Sequence, residues 1–171
     1  MTEHIATRIP GFTIRPATER DVPLILRFIK GLAAYEKLTH EVTATEELLH
    51  QTLFGDRRVA EVVIGECEGE PVGFALFFHN FSTFLGRPGI YLEDLFVKPE
   101  MRGRGFGRVL LTYLAKLAKE RNCGRVEWAV LDWNEPAIRF YKSLGAASMD
   151  EWTVYRLTGE ALDKQAQEFD G

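Results

Sequence analysis

Apolar residues along this chain follow two rhythms, one helical and one alternating. Phe12 to Pro16 reads as a short strand. Val22, Ile25, Leu26, Ile29, Leu32 and Ala33 then recur at helical spacing. Thr18-Glu-Arg-Asp21 is a capping box that starts this helix, Pro23 follows the alternative cap Asp21, and the pattern fades near Tyr35-Glu36-Lys37. A loop over 39–44 leads to a second helix, Glu46 to Phe54, stopped by Gly55-Asp56. The rhythm then changes. Val59 to Cys67 and Val72 to Asn80 read as an antiparallel hairpin around the turn Glu68-Gly-Glu-Pro71. Residues 81–89 read as an aromatic-rich loop, and Tyr91 to Val97 as a further strand. From Phe106 to Arg121 the helical period returns, with Phe106, Leu110, Tyr113, Leu114 and Leu117 on one face. Arg125 to Leu131 is again strand-like. Asn134-Glu-Pro136 caps and opens a short helix that Gly145 stops. Ala146 to Asp150 and Trp152 to Leu157 are expected to complete the sheet, and Thr158 to Phe169 to form a last helix. Residues 1–10 read as a loose leader.

This order predicts an α/β fold, with a mixed, mainly antiparallel central sheet and flanking helices. The length of 171 residues suits one domain over the whole chain and leaves little room for two. With 46% hydrophobic and 27% charged residues, the composition is that of an ordinary soluble globular protein. A net charge of -4 argues against nucleic acid as a partner and suits a cationic small substrate. Cys67 and Cys123 stand apart without metal spacing and read as reduced, packed thiols in a cytoplasmic protein. His4, His40, His50 and His79 are scattered, so no metal site is expected. No window is apolar enough to span a membrane, and no signal pattern opens the chain.

The chemistry concentrates after Tyr91. The strand carries one acidic pair, Glu93-Asp94, then Lys98-Pro99 breaks it, and three glycines follow in Arg102-Gly-Arg-Gly-Phe-Gly107 before the long helix. A strand, a glycine loop and a helix start turn backbone N–H groups toward an anion. No Gly-Lys-Ser/Thr closes the loop, so it is not a Walker loop. Its G-x-G-x-G spacing and the missing acidic residue about 20 positions on also argue against a dinucleotide fingerprint.

Arg102-x-x-Gly105-x-Gly107 after an acidic-apolar strand resembles the pyrophosphate loop of the GNAT acetyltransferase superfamily, whose members bind acetyl-CoA. Asn134, Ala137, Phe140-Tyr141 and Gly145 resemble the last motif of the same superfamily. Within it, Ile14-Arg-Pro-Ala-Thr18, Leu32-Ala-Ala-Tyr-Glu36, Tyr91-Leu-Glu-Asp94 and Trp133-Asn-Glu-Pro136 look closer to the spermidine/spermine and thialysine acetyltransferases. The similarity runs from about residue 13 to 160 and implies the GNAT fold and a homodimer. Two departures bear on the amine pocket, Asp132 and the 81–89 segment. A third, Arg104, stands where that branch often has an aromatic residue.

Acetyl transfer to an amine requires a held thioester, a deprotonated amine, an oxyanion donor and a stabilised thiolate. The loop of Arg102, Gly103, Arg104, Gly105, Phe106, Gly107 and Arg108 would hold the pyrophosphate, with its arginines adding charge. Leu95, Phe96 and Val97 offer strand backbone to the pantetheine amides. By resemblance, one of their N–H groups also faces the thioester carbonyl. Glu93 is the candidate base, acting directly or through water, because an amine of pKa about 10.4 is protonated at neutral pH. Strand alternation would send Asp94 to the opposite face. Tyr141 is the candidate acid for the departing thiolate. It shares a helix face with Asn134 and Ala137, which the reading places at the cofactor. Tyr35 and Glu36 match the branch's amine-binding helix end, and with Glu93 and Asp94 they suit a diamine, a polyamine or a lysine-like amino acid. Acetylation of a protein or antibiotic amine, and a non-catalytic acyl-CoA-binding regulatory module, are the alternatives.

Overall fold

The computed structural model describes residues 3–169. A six-stranded sheet runs in chain order: β1 (Ile5–Ala6), β2 (Phe12–Pro16), β3 (Glu61–Cys67), β4 (Glu70–Ser82), β5 (Arg87–Val97) and β6 (Val126–Trp128). Every neighbouring pair is antiparallel except β5–β6, which is parallel. The expected mixed, mainly antiparallel sheet is therefore present. Helices α1 (Val22–Tyr35) and α2 (Glu46–Phe54) precede β3, and α3 (Phe106–Glu120) joins β5 to β6.

The chain divides after Leu131 into two compact units. The first holds the sheet and α1 to α3. Its core layer toward α1 and α2 contains Ile25, Phe28, Val62, Ile64, Phe74 and Phe96, all buried. Phe28 packs on both Phe74 and Phe96. In a separate contact, Phe106 at the start of α3 stacks on Phe12 of β2, with ring centroids 4.2 Å apart. Thr18 N–H donates to Asp21 Oδ2 at 2.7 Å, as the capping box requires. Burial alone would push the Asp21 carboxyl up, but the two-pronged bond from Arg15 holds it below the usual range and pins β2 to the start of α1.

The second unit begins at Asp132 and carries α4 (Glu135–Ser143) and α5 (Gly159–Gln167). Asn134 caps α4, its side chain accepting from Ala137 N–H.

Four expectations need correction. Residues 5–6 form β1 on the free edge of β2, with His4 Nε2 2.9 Å from Glu66 Oε1 and the Thr7 hydroxyl donating to Phe12 O; of the expected leader, residues 4–7 are tied down rather than loose, and residues 1–2 lie outside the described residues. Ile5 and Ala6 pair with Ile14 and Thr13 across a short hairpin, a two-residue strand too brief to show as a pattern, and Glu66 alone of these partners lies far along the chain. The 81–89 segment is mostly strand, because β4 and β5 stay paired out to Ser82–Arg87 and leave only 83–86 as a turn. The strand over 125–131 shrinks to Val126–Trp128. Residues 146–157 form no strand, and Trp152, Val154 and Tyr155 are 73%, 86% and 93% exposed. Among the described residues no strand pairs with this segment.

Candidate active site

Two irregularities shape the end of β5. The first is a bulge. Phe77 faces Leu92 and Leu76 faces Asp94, so β5 fits one extra residue, Glu93, into the ladder. Glu93 and Asp94 together oppose Leu76, and the alternation that would send them to opposite faces is interrupted. Their proximity shows in the Asp94 carboxyl, which burial, then repulsion from Glu93 and from Glu36, pushes up to about 6. The regular alternation expected to separate the two carboxylates does not hold at this bulge.

The second irregularity is a free edge. β6 pairs with β5 only from Ile90 to Leu92. Lys98 N–H goes to Val72 O on the β4 side. Strand alternation then turns the backbone groups of Val97 and Leu95 to the other edge. Arg102 Nε takes Val97 O there, at 3.0 Å. Phe96 points its buried ring into the core toward Phe28.

Helix α1 delivers the remaining groups. It comes close to β5 because Gly31 has no side chain: a Cβ there would stand 2.7 Å from the Phe96 ring. Lys37 then stops the helix in a left-handed conformation, φ 62°, with Leu38 N–H bonded to Ala33 O and Lys37 N–H to Ala34 O. Tyr35 and Glu36 therefore sit at the helix end beside β5. Burial raises the Glu36 carboxyl above its ordinary value. Three carboxylates, Glu36, Glu93 and Asp94, thus share one neighbourhood. This is an arrangement that an amine cation would relieve.

The glycine loop follows. Gly103 and Gly105 adopt φ 79° and 86°, a region glycine enters without strain. Gly105 is the cap residue of α3 and has no side chain to occupy the first N–H groups. A Cβ on Gly103 would meet nothing within 4 Å, so the loop is open at that residue. The arginines divide. Arg108 is exposed. Arg104 lies over the Phe106 ring at 4.9 Å. Arg102 lies over the Tyr35 ring at 4.5 Å and over Phe96 at 5.7 Å.

In the second unit, Asn134, Ala137 and Tyr141 share a face of α4 at the expected spacing, and Phe140 and Tyr141 have ring centroids 5.5 Å apart. Sequence reasoning missed the bulge and the Arg102–Tyr35 contact. Gly31, a lone glycine inside a helical pattern, was the one local signal of close packing on β5. Among the described residues no cluster of side chains could hold a metal ion.

Comparison with known proteins agrees with this geometry. A family model described as "Acetyltransferase (GNAT) family" matches residues 29–146. A bovine thialysine N-epsilon-acetyltransferase is 41% identical, over 90% of this chain and 96% of its own. An L-ornithine N5-acetyltransferase of Arabidopsis thaliana is 37% identical, over 87% of this chain and 85% of its own. Among solved structures, an integron cassette protein from the mobile metagenome of V. cholerae superposes with a TM-score of 0.77 at 29% identity, covering 92% of this chain and 98% of that one. With a family model over most of its length and relatives across nearly all of it, the chain belongs to the GNAT acetyltransferase family.

Proposed function

We propose that this enzyme moves the acetyl group of acetyl-CoA to a primary amine of a small diamine, polyamine or lysine-like amino acid by direct attack. The observation that carries the substrate class is the crowding of Glu36, Glu93 and Asp94, which holds Asp94 near 6. A substrate with two separated amino groups places one cation among these carboxylates and presents the other amine for reaction. The names of the thialysine and ornithine relatives point to the same class, since both substrates are amino acids with a second, side-chain amine.

In this reading the N–H groups of 103–108 and the start of α3 hold the pyrophosphate, and Arg104 or Arg108 adds charge. The free edge at Leu95 and Val97 pairs with the pantetheine amides and keeps a donor for the thioester oxygen. Glu93, on the bulge and exposed, takes the amine proton directly or through a water. Tyr141 gives a proton to the departing thiolate. Asn134 and Ala137 support the cofactor on the same face of α4. No step needs a metal. We place the enzyme in the cytoplasm, where Cys67 and Cys123 would stay reduced. We further assign it a homodimeric state, in which a second copy covers the exposed Trp152, Val154 and Tyr155.

The test is a turnover assay with acetyl-CoA, read as free thiol, against spermidine, spermine, putrescine, lysine, thialysine, ornithine and a lysine-bearing peptide. Turnover with a small diamine or diamino acid supports the reading. Turnover with the peptide alone moves the substrate to protein amines, and acetyl-CoA binding without any turnover favours a regulatory module.

A further inference from the structure

We propose that Arg102 is a positioning residue for the amine, and that its side chain is not chiefly a phosphate ligand. The inference rests on the assignment of the α1 end to the amine. Three contacts carry it. The guanidinium lies 4.5 Å over the Tyr35 ring, at the end of α1. It lies 5.7 Å from the Phe96 ring, which anchors the same face of β5 in the core. Its Nε donates to Val97 O at 3.0 Å, on the free edge of β5.

One side chain from the glycine loop therefore holds three elements in register: the helix end with Tyr35 and Glu36, the acidic bulge strand, and the loop itself. The plane of the guanidinium is what allows this, since it stacks with its face while donating with its edge. Lysine keeps the charge but has neither the planar face nor the Nε donor. The two roles for Arg102 therefore separate in one substitution. A residue that only supplies charge to phosphate tolerates lysine in large part. A residue that sets the angle of Tyr35 does not.

The experiment is steady-state kinetics of Arg102→Lys, Tyr35→Leu and the double variant with the best small amine, together with acetyl-CoA affinity by calorimetry. Arg102→Lys is expected to raise the amine KM about five- to tenfold, with kcat and acetyl-CoA Kd within about twofold of the parent. Tyr35→Leu is expected to act in the same direction, and the double variant to be no worse than the poorer single one. A normal amine KM with weakened acetyl-CoA binding in Arg102→Lys would overturn the proposal and return Arg102 to the phosphate. Additive losses in the double variant would also overturn it, because the stack would not be the link. Glu36→Gln separates the underlying assumption. If it leaves the amine KM unchanged, the α1 end is not the amine site and the proposal falls with it. If it raises the amine KM while Arg102→Lys does not, only the role of Arg102 fails.

Discussion

Strand β2 and the segment 152–157 look alike as sequence, short runs rich in aromatic and β-branched residues with polar ones between, yet they end in opposite conditions. Phe12 and Ile14 of β2 are 1% exposed, whereas Val154 and Tyr155 are 86% and 93% exposed. The difference lies in what surrounds them. β2 has a strand on each side and the Phe106 ring beneath Phe12. The later segment pairs with no strand among the described residues. Alternation states which residues are able to share a face, but only a neighbour supplies the hydrogen bonds and the buried surface that make a strand stable. More broadly, the first unit carries its own core, while among described residues from 132 onward only Asn134 is buried.

This contrast can be broken most strongly by truncation. Phe74→Ala, at a fully buried ring, should cost about 3–5 kcal/mol in urea unfolding, whereas Tyr155→Ala should cost under about 0.5 kcal/mol in the isolated chain. Equal losses would mean that Tyr155 is covered in solution, and dilution should then remove its share. A second test asks whether the thinly buried unit still matters to turnover. Tyr141→Phe is expected to lower kcat about 100-fold while leaving acetyl-CoA affinity and the unfolding midpoint nearly unchanged. Unaltered turnover would take Tyr141 out of the reaction.

Asp94 sharpens the comparison from the other side, since here the well-packed unit carries a cost. Its carboxyl pKa is raised from 3.8 to about 6, so the folded state binds this proton more tightly than the unfolded chain. The destabilisation is fully present above pH 6 and is relieved as pH falls toward 4. Asp94→Asn should therefore raise the melting temperature at pH 7 to 8, lose that advantage near pH 4, and raise the amine KM. The parent enzyme's amine KM should itself climb as pH drops through 6. The smallest effect is expected at Lys37, a non-glycine residue at φ 62°. Lys37→Gly should be neutral or stabilising by up to about 1 kcal/mol in thermal melts, because glycine enters that region without strain.

Much of the framework of the candidate site could be read from local pattern because its elements are local. The caps at Thr18 and Asn134, the period of α1 and α3, and the glycine loop each depend on residues within one or two turns. The bulge could not be read in this way: it is a property of the pairing between β4 and β5, and nothing in Tyr91-Leu-Glu-Asp94 says which residue is the extra one. For the same reason Asp94 was expected on the face opposite Glu93. The stack of Arg102 on Tyr35 joins residues distant in sequence, and only the approach of α1 at Gly31 brings them together. The expected strands at 146–157 failed for the complementary reason, a run of strand-forming residues with no pairing strand among the described residues.

Glu93 is also dispensable to the architecture in a specific sense. Remove it on paper and Leu92 still faces Phe77, Asp94 still faces Leu76, and Phe96 still faces Phe74. The pleat closes without a fault, and every side chain downstream keeps its face. The β4–β5 ladder thus contains one residue it does not use for its own pairing, at the place where the acidic groups gather. A shortened strand lacking it would fold as a more regular protein. What it would lose is a carboxylate that the β4–β5 pairing does not need.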